Sequence, residues 1–362
     1  MYDRARAILR AGIVEQVFPA AVAEVGDGTG VLWREAFGRL TYDDSGPDAA
    51  PETSADTIFD LASLTKVVAT TPMAIQLVER GALALDDCVR DRLPGWRSPD
   101  RREVTVRDLL SHSSGLPAHQ PLFQGQAGRV AYERAICASS LDFVPRTASV
   151  YSDLGFMLMG FILEDAGGVR LDQHFDTLMA QMRITDRVQF TPPRRWAAGT
   201  APTGLDAWRG RMLVGEVHDQ NAWALDGVAG HAGLFGTAGS VGDYARHLLQ
   251  VLDGHTGAVS RSALQDFIAL RADVPGSSRA LGWDTMLPTS SCGSRMSPRA
   301  FGHTGFTGTS LWIDPDEGTY VVLLTNRLYP EGPREGIHAV RSSFHEAVMD
   351  SLALATTATY QE

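Results

Sequence analysis

Hydrophobic and polar residues follow different patterns at the ends of the chain and in its middle. Apolar residues recur at helical spacing over residues 3–17, which predicts an amphipathic opening helix. Residues 19–25 and 30–37 are separated by the turn residues Gly26 to Gly28, so they predict a β-hairpin. Further strands are predicted late in the chain, before a final amphipathic helix over 334–354. These late strands cover residues 279–286, 299–306, 308–314 and 319–326.

The middle of the chain, from about residue 86 to 253, favours helices and loops. An exposed loop is predicted over 42–57, which is rich in Asp, Ser, Pro and Thr. Residues 58–61 then lead into a helix that ends before Gly81 and is kinked or restarted at Pro72. Residues 191–204 predict a long irregular connection. The helices predicted in the middle cover residues 107–112, 129–140, 152–166, 171–183 and 240–252.

Strands therefore open and close the chain, and helices lie between them. The simplest packing joins both ends in one antiparallel sheet that is flanked by helices, with the middle as a helical insertion. This arrangement predicts an α+β fold with a discontinuous sheet domain, 1–75 with 275–362, and a mainly helical domain, 76–274. The active site is expected in the cleft between them.

The composition narrows the possible partners. A formal net charge of −11 over 362 residues argues against nucleic acid or an anionic membrane as the main partner. No apolar run approaches the roughly 18 residues of a membrane span, and no secretory signal is visible, so a cytoplasmic protein is expected. The cysteines Cys88, Cys137 and Cys292 are few, odd in number and widely spaced, which predicts no disulfide framework and fits a reducing compartment.

One lysine stands out, because Lys66 is the only lysine among 32 basic residues. Arginine keeps its proton near neutral pH, whereas an ammonium can lose it when burial or a neighbouring charge lowers its pKa. Ser63 precedes Lys66 by three residues, so a helix would place both side chains on one face. Free N–H groups of the first helical turn could stabilise an anion there. The pair indicates an activated nucleophile, although a helix cap and a surface lysine would give the same pattern.

Two other stretches contain candidate chemistry. Tyr151 and Asp153 precede an apolar helix, and a tyrosine can transfer protons where a nearby cation lowers its pKa from about 10. Packing and helix capping would explain the same residues. Between Gly302 and Gly308, glycines surround His303 in a predicted strand, which indicates either close approach of a ligand or a β-bulge with a structural histidine.

Together these stretches, in this order, resemble the serine β-lactamase and penicillin-binding-protein superfamily. The greatest similarity is to its class C β-lactamase-like branch, which includes esterases, D-aminopeptidases and D,D-carboxypeptidases. Residues 104–117 and 230–238 also match the style of that branch, and the resemblance covers roughly residues 15–350. It implies a β-lactamase/transpeptidase-like fold and no cofactor.

The resemblance also implies the roles of the site residues. Ser63 would be the nucleophile that forms an acyl-enzyme, and Lys66 and Tyr151 would share the proton transfers. The backbone N–H groups of Ser63 and Phe306 would form the oxyanion hole. The residues expected to contact the substrate are Asp153, His303, Thr304 and Gly305.

Two positions depart from the family pattern. Asp153 stands where the second motif usually has asparagine, and a carboxylate there would favour the charged form of Lys66. His303 stands where penicillin-recognising enzymes usually have lysine, so its attraction for a substrate carboxylate would depend on pH. Both changes favour an esterase or a small-amide hydrolase over an enzyme that acts on antibiotics.

The predicted function is therefore a serine hydrolase that acts through an acyl-enzyme on a small ester or amide. One alternative is a D,D-carboxypeptidase or β-lactamase acting on peptidoglycan-type substrates, which the missing export signal disfavours. The other is a non-catalytic, penicillin-binding-like pseudoenzyme.

The remaining candidates are given structural roles. His112 and Ser114 are expected to be structural, and no metal is predicted because the spacing of His218, Asp219 and His231 matches no known ligand pattern. The loops expected to select the substrate cover residues 118–129 and 190–216.

Overall fold

The computed structural model describes residues 1–43, 50–184, 187–271, 274, 277–332 and 335–359, with side chains described as far as residue 355. The strands are β1 (Ala20–Asp27), β2 (Val31–Gly38), β3 (Phe59–Asp60), β4 (Val188–Phe190), β5 (Gly204–Asp206), β6 (Arg211–Leu213), β7 (Leu234–Gly236), β8 (Asp284–Thr285), β9 (Phe301–Thr304), β10 (Ser310–Asp314) and β11 (Thr319–Thr325).

The α-helices are α1 (Asp3–Val14), α2 (Thr71–Glu79), α3 (Val89–Arg92), α4 (Val106–Leu110), α5 (Gly128–Ala138), α6 (Asp153–Gly167), α7 (Leu171–Gln181), α8 (Gln220–Trp223), α9 (Ala238–Leu252), α10 (Arg261–Ile268) and α11 (Ile337–Thr359). A π-helical segment covers Lys66–Thr70, and short 3-10 helices cover Pro99–Arg101, Leu122–Gln124 and Arg194–Gly199.

The two ends of the chain form one antiparallel sheet of six strands in the order β2-β1-β11-β10-β9-β8. In the centre of this sheet Val22 lies opposite Leu324, and Leu311 lies opposite Val322. The predicted joining of both ends in one antiparallel sheet is therefore confirmed.

Both faces of the central strands β1, β10 and β11 are buried, and side chains that alternate along each strand enter two different cores. On one face, Ala23 and Val321 pack in a cluster with residues of α1 and α11. On the other face, Val22 and Val322 belong to the large core that includes α9 and the helical part of the chain. Each fully buried valine of this kind contributes about 1.5–3 kcal/mol to stability.

Helix α6 runs through this large core. Its residues 154–163 are all buried, which is the pattern of a helix surrounded by other elements. The Ser152 hydroxyl accepts the N–H of Gly155 at 3.3 Å and caps the first turn. Because Tyr151 and Asp153 flank that cap, the buried helix determines where both side chains point.

Several predicted element boundaries are corrected. The opening helix ends at Val14 instead of residue 17, and the predicted strand 279–286 is reduced to Asp284–Thr285. The predicted middle region contains the short strands β4 to β7, which are too brief to show alternation in the sequence. Residues 44–49 of the predicted loop 42–57, and the predicted helix start at 334, lie outside the described residues.

The helix predicted after residue 61 continues through Pro72 but changes its geometry. The π-helical turn comes immediately before the α-helical segment that contains Pro72 near its start. A proline has no N–H to donate and its ring needs space, so a wider turn at this point accommodates both. Within the described ranges, no helix has both the length and the apolar character needed to cross a membrane.

Candidate active site

Ser63 lies in a tight turn between strand β3 and the helical turn that begins at Leu64. Its neighbour Ala62 has a positive φ of 47°, a conformation that costs about 1–3 kcal/mol for a residue with a side chain. The carboxylate of Asp60 holds this turn, because it accepts the N–H of Ala62 at 2.8 Å and the N–H of His218 at 2.7 Å. Burial raises the pKa of Asp60 to about 6.

Two side chains converge on the Ser63 hydroxyl. Lys66 Nζ donates to Ser63 Oγ at 3.0 Å, and the Tyr151 hydroxyl donates to the same oxygen at 2.7 Å. Lys66 Nζ also lies 4.7 Å from the centre of the Tyr151 ring. The three groups that the sequence predicted as nucleophile and proton-transfer residues are therefore within hydrogen-bond reach of one another.

The Lys66 ammonium is fully buried and ion-paired. It donates to Asp153 Oδ1 at 2.8 Å and to the carbonyl of His231 at 3.2 Å. Burial alone would lower the pKa of Lys66, but the charges and hydrogen bonds of Asp153 and Tyr151 together outweigh it, so this pKa is raised. Burial opposes ionisation of Asp153 as well, and the adjacent ammonium nevertheless holds its pKa well below the usual range. The prediction that a carboxylate at 153 favours the charged lysine is confirmed.

The lowered pKa that would ease proton transfer by Tyr151 is not found in the resting site. Burial raises the pKa of its hydroxyl, and the nearby Lys66 ammonium only partly offsets that effect. The resting enzyme therefore holds Tyr151 as a hydrogen-bond donor to Ser63. The ring of His112 lies 4.8 Å from the Tyr151 ring, and its Nδ1 accepts the N–H of Ser152 at 3.0 Å. His112 thus positions the tyrosine.

The backbone N–H groups proposed for the oxyanion hole belong to Ser63 and to Phe306, which lies in the turn after β9. Among the described residues, no hydrogen bond uses the N–H of Ser63 or of Phe306. The turn is fixed to the nucleophile's strand, because the Thr307 hydroxyl donates to the carbonyl of Asp60 at 2.7 Å and the Thr309 hydroxyl donates to that of Leu61 at 3.0 Å. The oxyanion role of the two N–H groups stays a prediction.

His303 lies buried on β9, and its imidazole is neutral. Its Nδ1 donates to the carbonyl of Thr304 at 2.8 Å, which leaves a lone pair on Nε2. Burial lowers the pKa of His303 well below its usual range, and the Lys66 and Arg279 charges act in the same direction. His303 therefore offers no positive charge to a substrate carboxylate. The substrate contacts of His303, Thr304 and Gly305 stay predictions.

Two cavities meet at Ser63, and Ser63, Tyr151 and Phe306 line both of them. The first, of about 300 Å³, is here called the arginine cavity, because Arg279, Arg327 and Arg341 line it together with His303, Thr304 and Gly305. The second, of about 420 Å³, is here called the acidic cavity, because its wall includes Asp60, Asp153 and Asp219 with His119, His218 and His231.

The acidic cavity contains a buried histidine–aspartate pair. His231 Nε2 lies 2.9 Å from Asp219 Oδ1, and Asp219 also accepts the N–H of Ala222 at 2.7 Å. Burial opposes the Asp219 charge, but His231 and the N–H of Ala222 together hold the pKa of this carboxyl below its usual value. No group of three metal-binding side chains occurs among the described residues.

Sequence analysis missed the arginine cavity, because its three arginines come from separate elements. Arg279 precedes β8, Arg327 follows β11 and Arg341 belongs to α11. Arg341 is buried and donates to the carbonyls of Gly305 at 2.8 Å and Thr309 at 2.7 Å. Burial, aided by Arg327, lowers its pKa to about 9, which still leaves it protonated at neutral pH. No local motif indicates this convergence.

The predicted substrate-selecting loops meet mainly at a third cavity of about 580 Å³. Phe123 from the first loop packs edge-on against Trp208 from the second, with ring centres 4.8 Å apart. Of these two loops, only His119 reaches the acidic cavity, whose remaining wall comes from parts of 60–63 and 151–153 together with residues 218–220, 231–232 and 306–307. The role of the two loops in choosing the substrate stays a prediction.

Known proteins are similar to this chain in sequence and in fold. A relative from Escherichia coli, named as a D-alanyl-D-alanine carboxypeptidase, is 31% identical over 342 residues, which cover 84% of this chain and 76% of that protein. An N-acetylmuramyl-L-alanine amidase from Bacillus subtilis is 32% identical over 348 residues, covering 86% and 77%. A solved penicillin-binding protein homologue from Caulobacter crescentus is 19% identical, with a TM-score of 0.75 and 97% of each chain covered.

The predicted fold class is therefore confirmed, because this structural likeness extends over almost the whole chain. The family model named Beta-lactamase matches residues 5–343, which contain every site residue described above. Lys66 and Tyr151 both hydrogen-bond to Ser63 in this site. The Escherichia coli relative aligns with 84% of the chain. The chain belongs to the β-lactamase family of serine hydrolases.

Proposed function

We propose that this protein hydrolyses a small amide or ester through an acyl-enzyme on Ser63. The observation that carries the proposal is the position of Ser63 Oγ, which lies 3.0 Å from Lys66 Nζ and 2.7 Å from the Tyr151 hydroxyl at the junction of two cavities. A hydroxyl with two proton-transfer groups in reach is the arrangement of an activated nucleophile.

The steps follow from this geometry. Ser63 Oγ attacks the substrate carbonyl carbon, and its proton passes to the Lys66–Tyr151 pair. The carbonyl oxygen becomes an anion that the N–H groups of Ser63 and Phe306 stabilise. When the bond to the leaving nitrogen or oxygen breaks, the pair returns the proton to that atom. Water then attacks the acyl-enzyme by the same sequence and releases the acid.

We further propose that the leaving half of the substrate carries a carboxylate. Three arginines line the cavity on one side of Ser63, and the only carboxylate among its lining residues is Asp284. Arginine binds carboxylates well because its planar guanidinium donates two parallel hydrogen bonds. Unlike the neutral His303, these guanidinium groups remain charged at neutral pH.

A D,D-carboxypeptidase is the second candidate function. The name of the Escherichia coli relative favours it, and a C-terminal D-alanine would supply the carboxylate that the arginine cavity suits. The Bacillus subtilis relative is likewise named for an amide of an amino acid, as an N-acetylmuramyl-L-alanine amidase. Release of D-alanine from N-acylated D-alanyl-D-alanine would favour this candidate over a general esterase.

The first experiment measures hydrolysis of p-nitrophenyl acetate and butyrate by the wild type, Ser63→Ala and Lys66→Arg. We expect Ser63→Ala to lower kcat by about 10³-fold or more, because the acyl-enzyme can no longer form. Lys66→Arg should lower it by about 10²–10⁴-fold, since a guanidinium keeps its charge but cannot accept a proton. Intact mass after treatment with a fluorophosphonate or a penicillin should show one adduct.

Ser262→Ala is the matched control, because Ser262 is an exposed serine on α10 outside both cavities. It should retain wild-type rates and the adduct. Equal activity of the wild type and Ser63→Ala would overturn the acyl-enzyme and leave the non-catalytic, penicillin-binding-like alternative.

A further inference from the structure

A fourth cavity, of about 480 Å³, shares one wall residue with the arginine cavity at Ser63. It is here called the four-arginine cavity, because its wall contains Arg107, Arg146, Arg271 and Arg279. Arg279 is the residue that the two cavities share. Ser63 and its two hydrogen-bond partners do not line the four-arginine cavity, so it is a site distinct from the catalytic group.

The four-arginine cavity has an excess of positive charge. The carboxylates among the described residues that line it are Asp86 and Asp108. Asp86 accepts from Arg107 at 3.0 Å, and Asp108 accepts two hydrogen bonds from Arg146, at 2.9 and 2.8 Å. These two ion pairs leave the charges of the other two guanidinium groups uncompensated within the wall.

Those two arginines have few partners of their own. Arg271 donates to the exposed Asp266 at 3.0 Å, but its buried Nε has no hydrogen-bond partner among the described residues. The Arg279 guanidinium makes no hydrogen bond within the described ranges, and its ion-pair partner Asp284 is 3.9 Å away. Because a guanidinium has five N–H donors and no acceptor, both groups indicate an anionic ligand.

A phosphate group suits this cavity in charge and in geometry. Two uncompensated guanidinium groups match a phosphomonoester, which carries a charge of about −1.5 to −2 at neutral pH. Guanidinium groups bind phosphate oxygens through paired N–H donors. The volume of the cavity lies within the range of about 300–1,000 Å³ that is typical of small-molecule sites, so it leaves room for an organic group.

We propose that the four-arginine cavity binds a phosphate group, and that the bound phosphate weakens the binding of a carboxylated substrate at Ser63 through Arg279. The phosphate site itself is independent of the proposed hydrolysis. The coupling rests on the proposed function, because it involves the carboxylate on the leaving half of the substrate.

Arg279 couples the two sites because its side chain lines both cavities. Its guanidinium carbon also lies 5.3 Å from the centre of the Tyr151 ring, next to the catalytic group. A phosphate paired with Arg279 neutralises charge that the substrate carboxylate would otherwise meet, and the two anions repel each other. The coupling is reciprocal, so a carboxylated substrate also weakens the binding of phosphate.

Isothermal titration calorimetry with inorganic phosphate and with glycerol phosphate tests the phosphate site. We expect Arg107→Gln and Arg271→Gln each to raise Kd by about tenfold or more, because a charged hydrogen-bond donor is lost. Arg299→Gln, at an exposed arginine outside both cavities, is the matched control and should bind like the wild type. Tighter binding of the ester would identify the ligand as a phosphomonoester, and equal binding would identify it as the phosphate ion.

Other calorimetric results would overturn the phosphate site. It fails if the wild type binds neither compound, or if Arg107→Gln and Arg271→Gln bind as tightly as the wild type. Arg327→Gln separates the two cavities, because Arg327 lines the arginine cavity and not the four-arginine cavity. Weaker binding in Arg327→Gln, with unchanged binding in Arg107→Gln, would place the anion at Ser63 and contradict the proposal.

Kinetics with two matched esters tests the coupling. Phenyl acetate and para-carboxyphenyl acetate differ only in the carboxylate on the leaving half. Saturating phosphate should raise KM for the carboxylated ester by about fivefold or more and leave the kinetics of phenyl acetate unchanged. In Arg107→Gln the same rise should require a higher phosphate concentration, in proportion to the higher Kd. Equal effects on both esters, or no effect on either, would overturn the coupling.

Failure of the proposed function is distinguishable from failure of this inference. If Ser63→Ala hydrolyses both esters as fast as the wild type, the acyl-enzyme is lost and the coupling falls with it. Calorimetry would still decide whether the four-arginine cavity binds phosphate. If hydrolysis depends on Ser63 but phosphate does not bind, the inference is wrong and the proposed function stands.

Discussion

At the scale of single residues, the Lys66–Asp153 ion pair influences the protonation states of the site. The pair places a carboxylate 2.8 Å from the ammonium, where the family motif usually has an amide. The pKa values of both Lys66 and Tyr151 are raised. Burial is the main cause for Tyr151, whereas for Lys66 the charges and hydrogen bonds of Asp153 and Tyr151 together overcome the lowering effect of burial. At neutral pH the proton-accepting forms are therefore scarce, and kcat/KM should still be rising as pH passes into the alkaline range.

Asp153→Asn should move that rising limb to lower pH by about one to three units. Removing the negative charge makes loss of a proton from Lys66 or Tyr151 easier, so the active form appears earlier as pH increases. The measurement is the pH profile of kcat/KM, corrected for spontaneous hydrolysis. Asp165→Asn, on the same helix but outside the two cavities, is the control. A wild-type profile in Asp153→Asn would contradict the role given to this carboxylate.

At the scale of elements, the site depends on how the segment 230–233 packs against α6. The Thr70 hydroxyl donates to the carbonyl of Gly230 at 2.6 Å, and the next carbonyl, from His231, accepts from Lys66 at 3.2 Å. A Cβ atom on Gly230 would lie 2.1 Å from the carbonyl oxygen of Phe156. Only glycine permits this approach, which brings the His231 carbonyl to the buried ammonium.

Gly230→Ala should therefore lower both activity and stability. The segment must shift away from α6, which removes a hydrogen bond from Lys66 and misdirects its Nζ. We expect kcat to fall by about tenfold or more and the free energy of unfolding to fall by about 1–3 kcal/mol. Ester hydrolysis and urea denaturation measure the two effects. Gly30→Ala is the control, since a Cβ there meets no atom within 4 Å; equal behaviour of the two variants would refute the packing argument.

At the scale of the whole molecule, the last helix completes a site that begins near residue 60. Arg341 of α11 reaches beneath the β9–β10 turn and donates to the carbonyls of Gly305 and Thr309 at 2.8 and 2.7 Å. That turn carries Phe306, whose N–H is assigned to the oxyanion hole. The six-stranded sheet brings the two ends of the chain together and so makes this contact possible.

Arg341→Met should disturb catalysis even with an uncharged substrate. It leaves two buried carbonyls without this donor, at a cost of about 1–3 kcal/mol in the free energy of unfolding. A displaced turn should also lower kcat for p-nitrophenyl acetate, which needs no carboxylate contact. The exposed Arg299→Met is the control, and urea denaturation with ester kinetics is the measurement. Loss of activity only with carboxylated substrates would show that Arg341 acts through charge alone.

The sequence by itself predicted the α+β class, the strands at both ends of the chain and the group of Ser63, Lys66 and Tyr151. These follow from local periods and from motifs in which the interacting residues are close in sequence, such as Ser63 and Lys66 or Tyr151 and Asp153. Short strands such as β7, with three residues, were missed because so brief a segment shows no alternation.

Only the tertiary structure decided the electrostatics and the shape of the site. The raised pKa of Tyr151 depends on burial, which no local pattern states. The arginine cavity combines Arg279, Arg327 and Arg341 from separate elements, and the acidic cavity combines Asp60 with Asp219. Such charges act through space at distances set by packing, so residues far apart in the chain become neighbours only in the folded structure.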